Sequence, residues 1–250
     1  MHIARFRYRG NTLSGEVIEE SLIKTPNGSK LSLEEVVLLP PCNPTKIVCV
    51  GRNYADHAAE LGLSVPNEPL LFLKPPTAII PTGGEIEYPR YSNLIHYEGE
   101  LAIVIGKRCR NVSSTHAIDV IAGYTIMNDV TARDVQRTDG QWTRGKAFDT
   151  SAPLGPWLTK TLDIYGISIR TWVNQELRQN GTPRDFVFRI ENLISYISRV
   201  MTLEPGDVIA TGTPAGVGEL KIGDTVEIAI DGIGSLTNTV IASPTEMVIS

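Results

Sequence analysis

Apolar residues along most of this chain gather in short runs of strand character bounded by turn signals, rather than in long helical periods. Residues 1 to about 38 carry brief β-like runs separated by turn signals at Gly10-Asn11 and Pro26-Asn27-Gly28. The stretch LPPCNPT (39 to 45) holds three prolines, which disfavour helix and withhold donors from a strand ladder, so it reads as a connector. KIVCVG then opens the main part of the chain as a short buried strand, and PLLFL, GELAIVIG, VIAGYTIM, GISIRTWVN, DVIATG, TVEIAI and LTNTVIA read as further strands. Helices are few. In RIENLISYISRVMTL, Ile190, Leu193, Ile194, Ile197, Val200 and Met201 recur at helical spacing, which predicts an amphipathic cover on a sheet, stopped by Pro205-Gly206. A shorter helix is expected over 115 to 121. No internal repeat is present. The pattern predicts a strand-rich α+β fold, with a small β-rich module and connector over 1–45 and a larger domain over 46–250.

Composition narrows the possible functions. With 250 residues, 42% of them hydrophobic and 20% charged, the chain can remove roughly 70–75% of its unfolded surface from water, so folding requires neither a disulfide nor a structural metal. Any metal can then serve chemistry. The formal charge is −5, and no Lys/Arg cluster is long enough to track a phosphate backbone, which argues against nucleic acid as a partner. The start, MHIARFRYRGNTLSG, lacks the apolar core of a signal peptide, and no run approaches the ~18 apolar residues of a membrane span, so a cytoplasmic protein is expected. Cys42, Cys49 and Cys109 are odd in number with no C-x-x-C spacing, which fits reduced, space-filling thiols and argues against a thiolate zinc site.

Candidate chemistry begins with acids. HYEGELAIVIG places Glu98 and Glu100 two apart in an expected strand, so both side chains should share a face with Ala102 and Val104 beyond them. Two acids followed by apolar residues suggest a site at the rim of a core, although an isolated E-x-E is more commonly a solvated strand end. The signal strengthens at VIAGYTIMN, a second apolar strand running directly into Asp129. Three carboxylates supply hard oxygen ligands suited to Mg2+ or Mn2+; a softer metal would call for Cys or several His.

Six segments, GRNYADHAAE (51 to 60), LFLKP (71 to 75), HYEGELAIVIGK (96 to 107), GYTIMNDVTARDVQ (123 to 136), WTRGKAFDTSAPLGPW (142 to 157) and GDVIATGTPAGVG (206 to 218), resemble in order the signature blocks of the fumarylacetoacetate hydrolase family. The resemblance spans about residues 46 to 242; the N-terminal module is less diagnostic. It implies a rolled, mixed β-sandwich, usually a homodimer, with a divalent metal held by the two Glu of E-x-E and a later Asp, here Glu98, Glu100 and Asp129. Members cleave C–C bonds of acylpyruvates, decarboxylate oxaloacetate-like acids, or isomerise and hydrate dienoic 2-oxo acids, so membership does not fix the reaction.

These reactions develop negative charge on an oxygen beside a 2-oxo acid, and the enzyme must meet it with positive charge. Lys146 resembles the family's active-site lysine; outside its motif it would read as a surface residue. Arg133 and Gln136, three apart on an expected helical turn, resemble a substrate-orienting pair, with a structural Arg bound to Asp134 or a carbonyl as the alternative. Thr213, in TGTPAG, resembles the position whose hydroxyl and amide receive the substrate carboxylate, against a plain turn. Asp56 is expected to cap a short helix ending by Gly62, which would set His57 and Glu60 on one face as a dyad able to deprotonate water. In hydrolytic relatives such a dyad sits on a lid, expected here over about 53 to 67. His96 reads equally as a supporting partner of the acids or as an ordinary strand-end histidine. The leading expectation is a Mg2+/Mn2+-dependent hydrolase of acylpyruvate-type 2-oxo acids. The alternative is a decarboxylase or isomerase using the same site, and a ligand-binding protein without turnover comes last.

Overall fold

A computed structural model describes residues 1–19 and 21–244. The N-terminal segment forms a meander: His2–Tyr8 pairs with Asn11–Ile18 through a two-residue turn in which Arg9 and Gly10 both take positive φ, 48° and 80°. That turn twists in the same sense as the strands it joins. Leu22–Lys24 and Lys30–Ser32 continue the meander, Val37–Leu39 pairs back on the first strand, and Ala4, Phe6, Val17 and Ile23 form a small buried cluster.

His2–Tyr8 also pairs with Ala152–Thr159, which joins this segment to the central sheet. From there the order is Ile121–Asn128, Gly99–Ile105, Val208–Ala210, Ile47–Gly51 and Leu70–Lys74, within a sheet of 12 strands. A second sheet of five strands runs Glu176–Gly181, Ile169–Val173, Thr225–Ile230, Gly234–Ala242 and Glu85–Tyr88, and a third of three runs Thr131–Ala132, Ile95–Tyr97 and Gly218–Leu220. Both faces of the central strands are buried, and alternate residues serve different clusters. Leu101, Ile103, Val48 and Ile209 point into the main core with Ile169, Ile228 and Leu236 of the five-stranded sheet, whereas Ala102, Val104, Cys49 and Ala210 face a smaller cluster with Met127 and Leu154. The expected strand-rich sandwich is present.

The strands read from the sequence form, and one central strand was not anticipated. Ala152–Thr159 contains Pro153 and Pro156, residues that argue against a central position. The ladder accommodates them through a register shift opposite Tyr124 and Ile126, where Thr159 pairs with Tyr124 but Gly155 with Ile126.

Four α-helices are described: α1 (Ala55–Glu60), α2 (Arg133–Thr138), α3 (Thr143–Lys146) and α4 (Ile190–Val200). The amphipathic reading of α4 holds at Ile190, Leu193, Ile194 and Ile197, all buried. Val200 departs from it, being 60% exposed, because the helix ends there and Met201 is extended. The chain leaves the helix before Pro205 because Leu203 exchanges backbone hydrogen bonds with Cys109, 2.9 and 3.0 Å. The expected helix over 115 to 121 is instead two single turns of 3-10 helix, Ser114–His116 and Ile118–Val120. The Val120 carbonyl accepts from Gly106 N at 2.7 Å, which leaves it unavailable to continue a helix. No helix among the described residues is long and apolar enough to cross a membrane.

Candidate active site

The acids converge by a different route from simple strand alternation. Gly99–Ile105 begins after Glu98, and Ile95–Tyr97 belongs to another sheet, so Glu98 occupies the corner where the chain passes between the two. The corner is pinned: Glu98 N donates to Asn128 Oδ1 at 3.0 Å, and Asp129 N donates to Glu98 O at 2.9 Å. That exchange places Asp129, just past its strand, beside Glu98 and Glu100, and ligand oxygens of all three lie within 4.8 Å of one another. All three side chains are buried.

Three cations answer them. Lys146, at the end of α3, is buried; its Nζ donates to Glu98 Oε2 at 2.8 Å and Asp129 Oδ2 at 2.7 Å, and it lies 4.9 Å from the centre of the Phe72 ring. Arg133 donates to Glu98 Oε1 and to Gln136 Oε1, as the i, i+3 spacing on α2 allows. It does not hold Asp134, which instead accepts from Ser92 Oγ and Asn93 N. Lys74, which the sequence reading did not single out, is buried at the end of its strand, donates to the Val130 and Ser151 carbonyls at 3.1 and 2.8 Å, and lies 2.9 Å from Asp129 Oδ1. His96 Nδ1 accepts from Arg133 Nε at 3.4 Å; burial and then the Arg133 charge lower its pKa to about 4, so it is a neutral acceptor.

The electrostatics divide the acids. Burial would raise the Glu98 pKa, but Lys146 and Arg133 more than reverse this and hold it well below the usual carboxylate range. Glu100 is pushed well above that range, first by burial and then by Asp129 and Glu98. Burial pulls Lys146 down, yet Asp129 and Glu98 outweigh it and keep the ammonium charged. Glu100 Oε2 accepts from Gly212 N at 2.8 Å. Gly212 has φ +97°, and a Cβ there would stand 2.8 Å from Asn53 Cβ, so only glycine brings that amide so close.

Asp129 Oδ1 is buried and has no hydrogen-bond partner, since Lys74 Nζ approaches it outside bonding geometry. An orphaned carboxylate oxygen beside two further hard oxygen donors fits a divalent cation such as Mg2+ or Mn2+. Cys49, behind the acids, is a buried thiol whose pKa burial pushes well up, so it is no thiolate ligand.

A cavity of about 260 Å3 opens over the triad, and His57, Arg133, Gln136, Lys146 and Thr213 all line it. His57 Nδ1 lies 3.2 Å from Glu60 Oε2, and Glu60 Oε1 accepts from Gly216 N at 3.0 Å. Asp56 does not cap α1: Tyr54 is the N-cap and makes no side-chain cap bond, while Asp56 lies in the first turn. The helix does end by Gly62, φ +69°, where Gly62 N donates to Ala59 O and Leu63 N to Ala58 O, both 2.9 Å. The Thr213 hydroxyl is used internally, donating to Gly99 O at 2.9 Å and accepting from Gln179 Nε2 at 2.7 Å. Only its backbone amide remains for a ligand.

Comparison with known proteins agrees with the geometry. Residues 46–241 match the profile of the fumarylacetoacetate (FAA) hydrolase C-terminal domain. A mitochondrial oxaloacetate tautomerase of Bos taurus is 46% identical over 196 residues, covering 76% of this chain and 89% of that protein. The crystal structure of a 5-carboxymethyl-2-hydroxymuconate delta-isomerase from Mycobacterium smegmatis superposes with a TM-score of 0.91 at 43% identity, covering 98% and 100% of the two chains. A fumarylpyruvate hydrolase from Pseudomonas aeruginosa, in complex with Mn2+ and pyruvate, gives 0.76 at 36% identity, covering 82% and 92%. Matched over residues 46–241 by the family profile and over 98% of its length by a solved fold, this chain belongs to the fumarylacetoacetate hydrolase family of enzymes.

Proposed function

We propose that the chain is a divalent-metal-dependent enzyme that moves a proton at the carbon next to the 2-oxo group of a small 2-oxo acid. Keto–enol tautomerisation is the reading best supported. One observation carries it: His57, held by Glu60, lines one cavity of about 260 Å3 together with a charged lysine and three clustered carboxylates. The similarity to an oxaloacetate tautomerase supports the same step.

In this reading Glu98, Glu100 and Asp129 hold Mg2+ or Mn2+, which when bound supplies Lewis acidity at the substrate's oxygens. Lys146, fixed between Glu98 and Asp129, presents a permanent positive charge where negative charge develops. Gln136 orients Arg133, whose remaining N–H groups and the Thr213 amide receive the substrate carboxylate. Glu60 holds one ring nitrogen of His57 and leaves the other to take or return the proton.

Hydrolysis of an acylpyruvate C–C bond is the second reading, and the same dyad favours it, because a base that can take a carbon-bound proton can also activate water. Rates for enol–keto conversion of oxaloacetate, its decarboxylation, and acetylpyruvate hydrolysis, measured on wild type, His57→Ala and Lys146→Ala with saturating Mg2+, separate these. Tautomerisation should dominate, falling about 10²–10⁴-fold in His57→Ala and about 10²–10³-fold in Lys146→Ala. Acetylpyruvate hydrolysis faster than tautomerisation would reverse the order.

A further inference from the structure

Tyr97 is the last residue of strand Ile95–Tyr97, immediately before the corner that carries Glu98. The side chain is buried and does not line the cavity, yet its hydroxyl donates to Gly216 O at 2.8 Å. Burial pushes the pKa of that hydroxyl up to about 12, so at neutral pH it is a proton donor. Gly216 in turn donates its amide to Glu60 Oε1 at 3.0 Å, and Glu60 Oε2 lies 3.2 Å from His57 Nδ1. One line of contacts thus runs from the residue beside the acids to the candidate base.

What Gly216 transmits depends on how firmly it is held. Its φ is +98°, and a Cβ there would stand 2.1 Å from Arg178 O, so the loop is pressed against strand Glu176–Gly181 in a way that only glycine permits. From that strand Gln179 Nε2 donates to Thr213 Oγ1 and to Pro214 O at 2.7 and 2.9 Å, which fixes the loop as far as Pro214. Between there and strand Gly218–Leu220, the Tyr97 hydroxyl is the one side-chain donor that the loop meets among the described residues. The Glu60 side chain is 33% exposed, so water competes for its carboxylate and the Gly216 amide decides where it rests.

Building on the proton-transfer reading, we propose that Tyr97 is a positioning residue for the His57–Glu60 pair: its hydroxyl sets Gly216, Gly216 holds Glu60, and Glu60 keeps the imidazole proton on Nδ1 so that Nε2 is free to act as base. A displacement of about 1 Å at a reacting group costs on the order of 10²-fold in rate even when the changed residue is remote, so an indirect contact of this kind has a measurable effect.

The test is a double-mutant cycle on deuterium exchange at C3 of 2-oxobutanoate, with saturating substrate and Mg2+, in wild type, Tyr97→Phe, Glu60→Ala and the double variant. Tyr97→Phe keeps the buried ring and removes only the donor. Exchange should fall about 10–100-fold in Tyr97→Phe, yet the same change should matter less than about twofold once Glu60 is Ala, because the hydroxyl acts through Glu60. Mn2+ affinity should stay within about twofold of wild type. In the metal-free protein, the nitrogen-15 imidazole signals of His57, assigned by their loss in His57→Ala, should report the Nδ1–H tautomer in wild type and a mixture of tautomers in Tyr97→Phe. A merely structural Tyr97 would loosen the corner at Glu98, weaken Mn2+ binding and slow exchange equally with and without Glu60, and that result would overturn the proposal. A Tyr97→Phe protein with the wild-type rate and tautomer would overturn it as well, leaving the proton-transfer reading intact. Wild-type protein that catalyses no exchange would instead overturn that reading, while the tautomer comparison would still decide the role of Tyr97.

Discussion

The Lys74 ammonium reaches from the end of one strand to the Val130 and Ser151 carbonyls and to Ser151 Oγ, all within 3.1 Å, and approaches Asp129 Oδ1. It therefore fixes the loops that present Asp129 and Lys146. Lys74→Met would leave those carbonyls without a donor and Asp129 without its neighbouring charge, an expected loss of about 3–5 kcal/mol in urea unfolding. Mn2+ affinity should fall about 10–100-fold as the support for Asp129 goes. A variant as stable as wild type, with unchanged Mn2+ binding, would contradict this role. The sequence announced the three acids, because spacing and position after an apolar strand are local signals. Lys74 went unmarked because a lysine at a strand end is ordinarily exposed, and its acceptors lie 56 and 77 residues away.

Among the elements, the segment around α1 is anchored at its ends. Asn53 Nδ2 donates to Thr211 O at 2.8 Å and its Oδ1 accepts from Phe188 N at 2.7 Å, while Arg52 reaches Ser64 O. Between these points Leu63 is 50% exposed, so few apolar contacts hold the tip. Amide exchange across residues 55–65 should slow when oxalate is added with Mg2+, and equal protection with and without ligand would rule out closure. A tether elsewhere holds the connector: Asp207 Oδ1 accepts from Thr45 N and Oγ1 at 2.9 and 2.7 Å, and Oδ2 from Glu204 N at 2.8 Å. Burial would raise the Asp207 pKa, but the hydrogen bonds from Lys46, Glu204 and Thr45 lower it below 3.8. With the folded value depressed, its contribution is complete above about pH 3.8 and is lost as pH falls through the folded value. Asp207→Ala should cost about 2–4 kcal/mol at pH 7, with the difference from wild type shrinking in acid; a constant difference down to pH 2 would contradict the tether. At this scale the sequence showed strands by short apolar runs between turn signals and α4 by its apolar stripe. It missed Ala152–Thr159, because two prolines hide a central strand whose register shift appears only against its partner.

For the whole molecule, the resemblance carried the sandwich architecture, while the passage of the chain between sheets at Glu98 emerged only from tertiary pairing. A cation that binds the folded triad and not the unfolded chain stabilises the fold by about 2.7 kcal/mol at a hundred times its Kd. Mn2+ should thus raise Tm by about 5–10 °C for a chain of this size, and EDTA should reverse the rise; an unchanged Tm would speak against the site. The central claim, that metal triad, Lys146 and His57 together form an enolate, is tested most directly by deuterium exchange at C3 of 2-oxobutanoate in D2O, followed by proton NMR with Mg2+. This probe can neither be hydrolysed as an acylpyruvate nor lose CO2 as a 3-carboxylate, so exchange reports proton transfer alone. The account predicts catalysed exchange that EDTA and Glu100→Gln abolish and that His57→Ala slows by about 10²–10⁴-fold. Exchange no faster than in the protein-free control, or fast exchange that persists in EDTA and in His57→Ala, would contradict it.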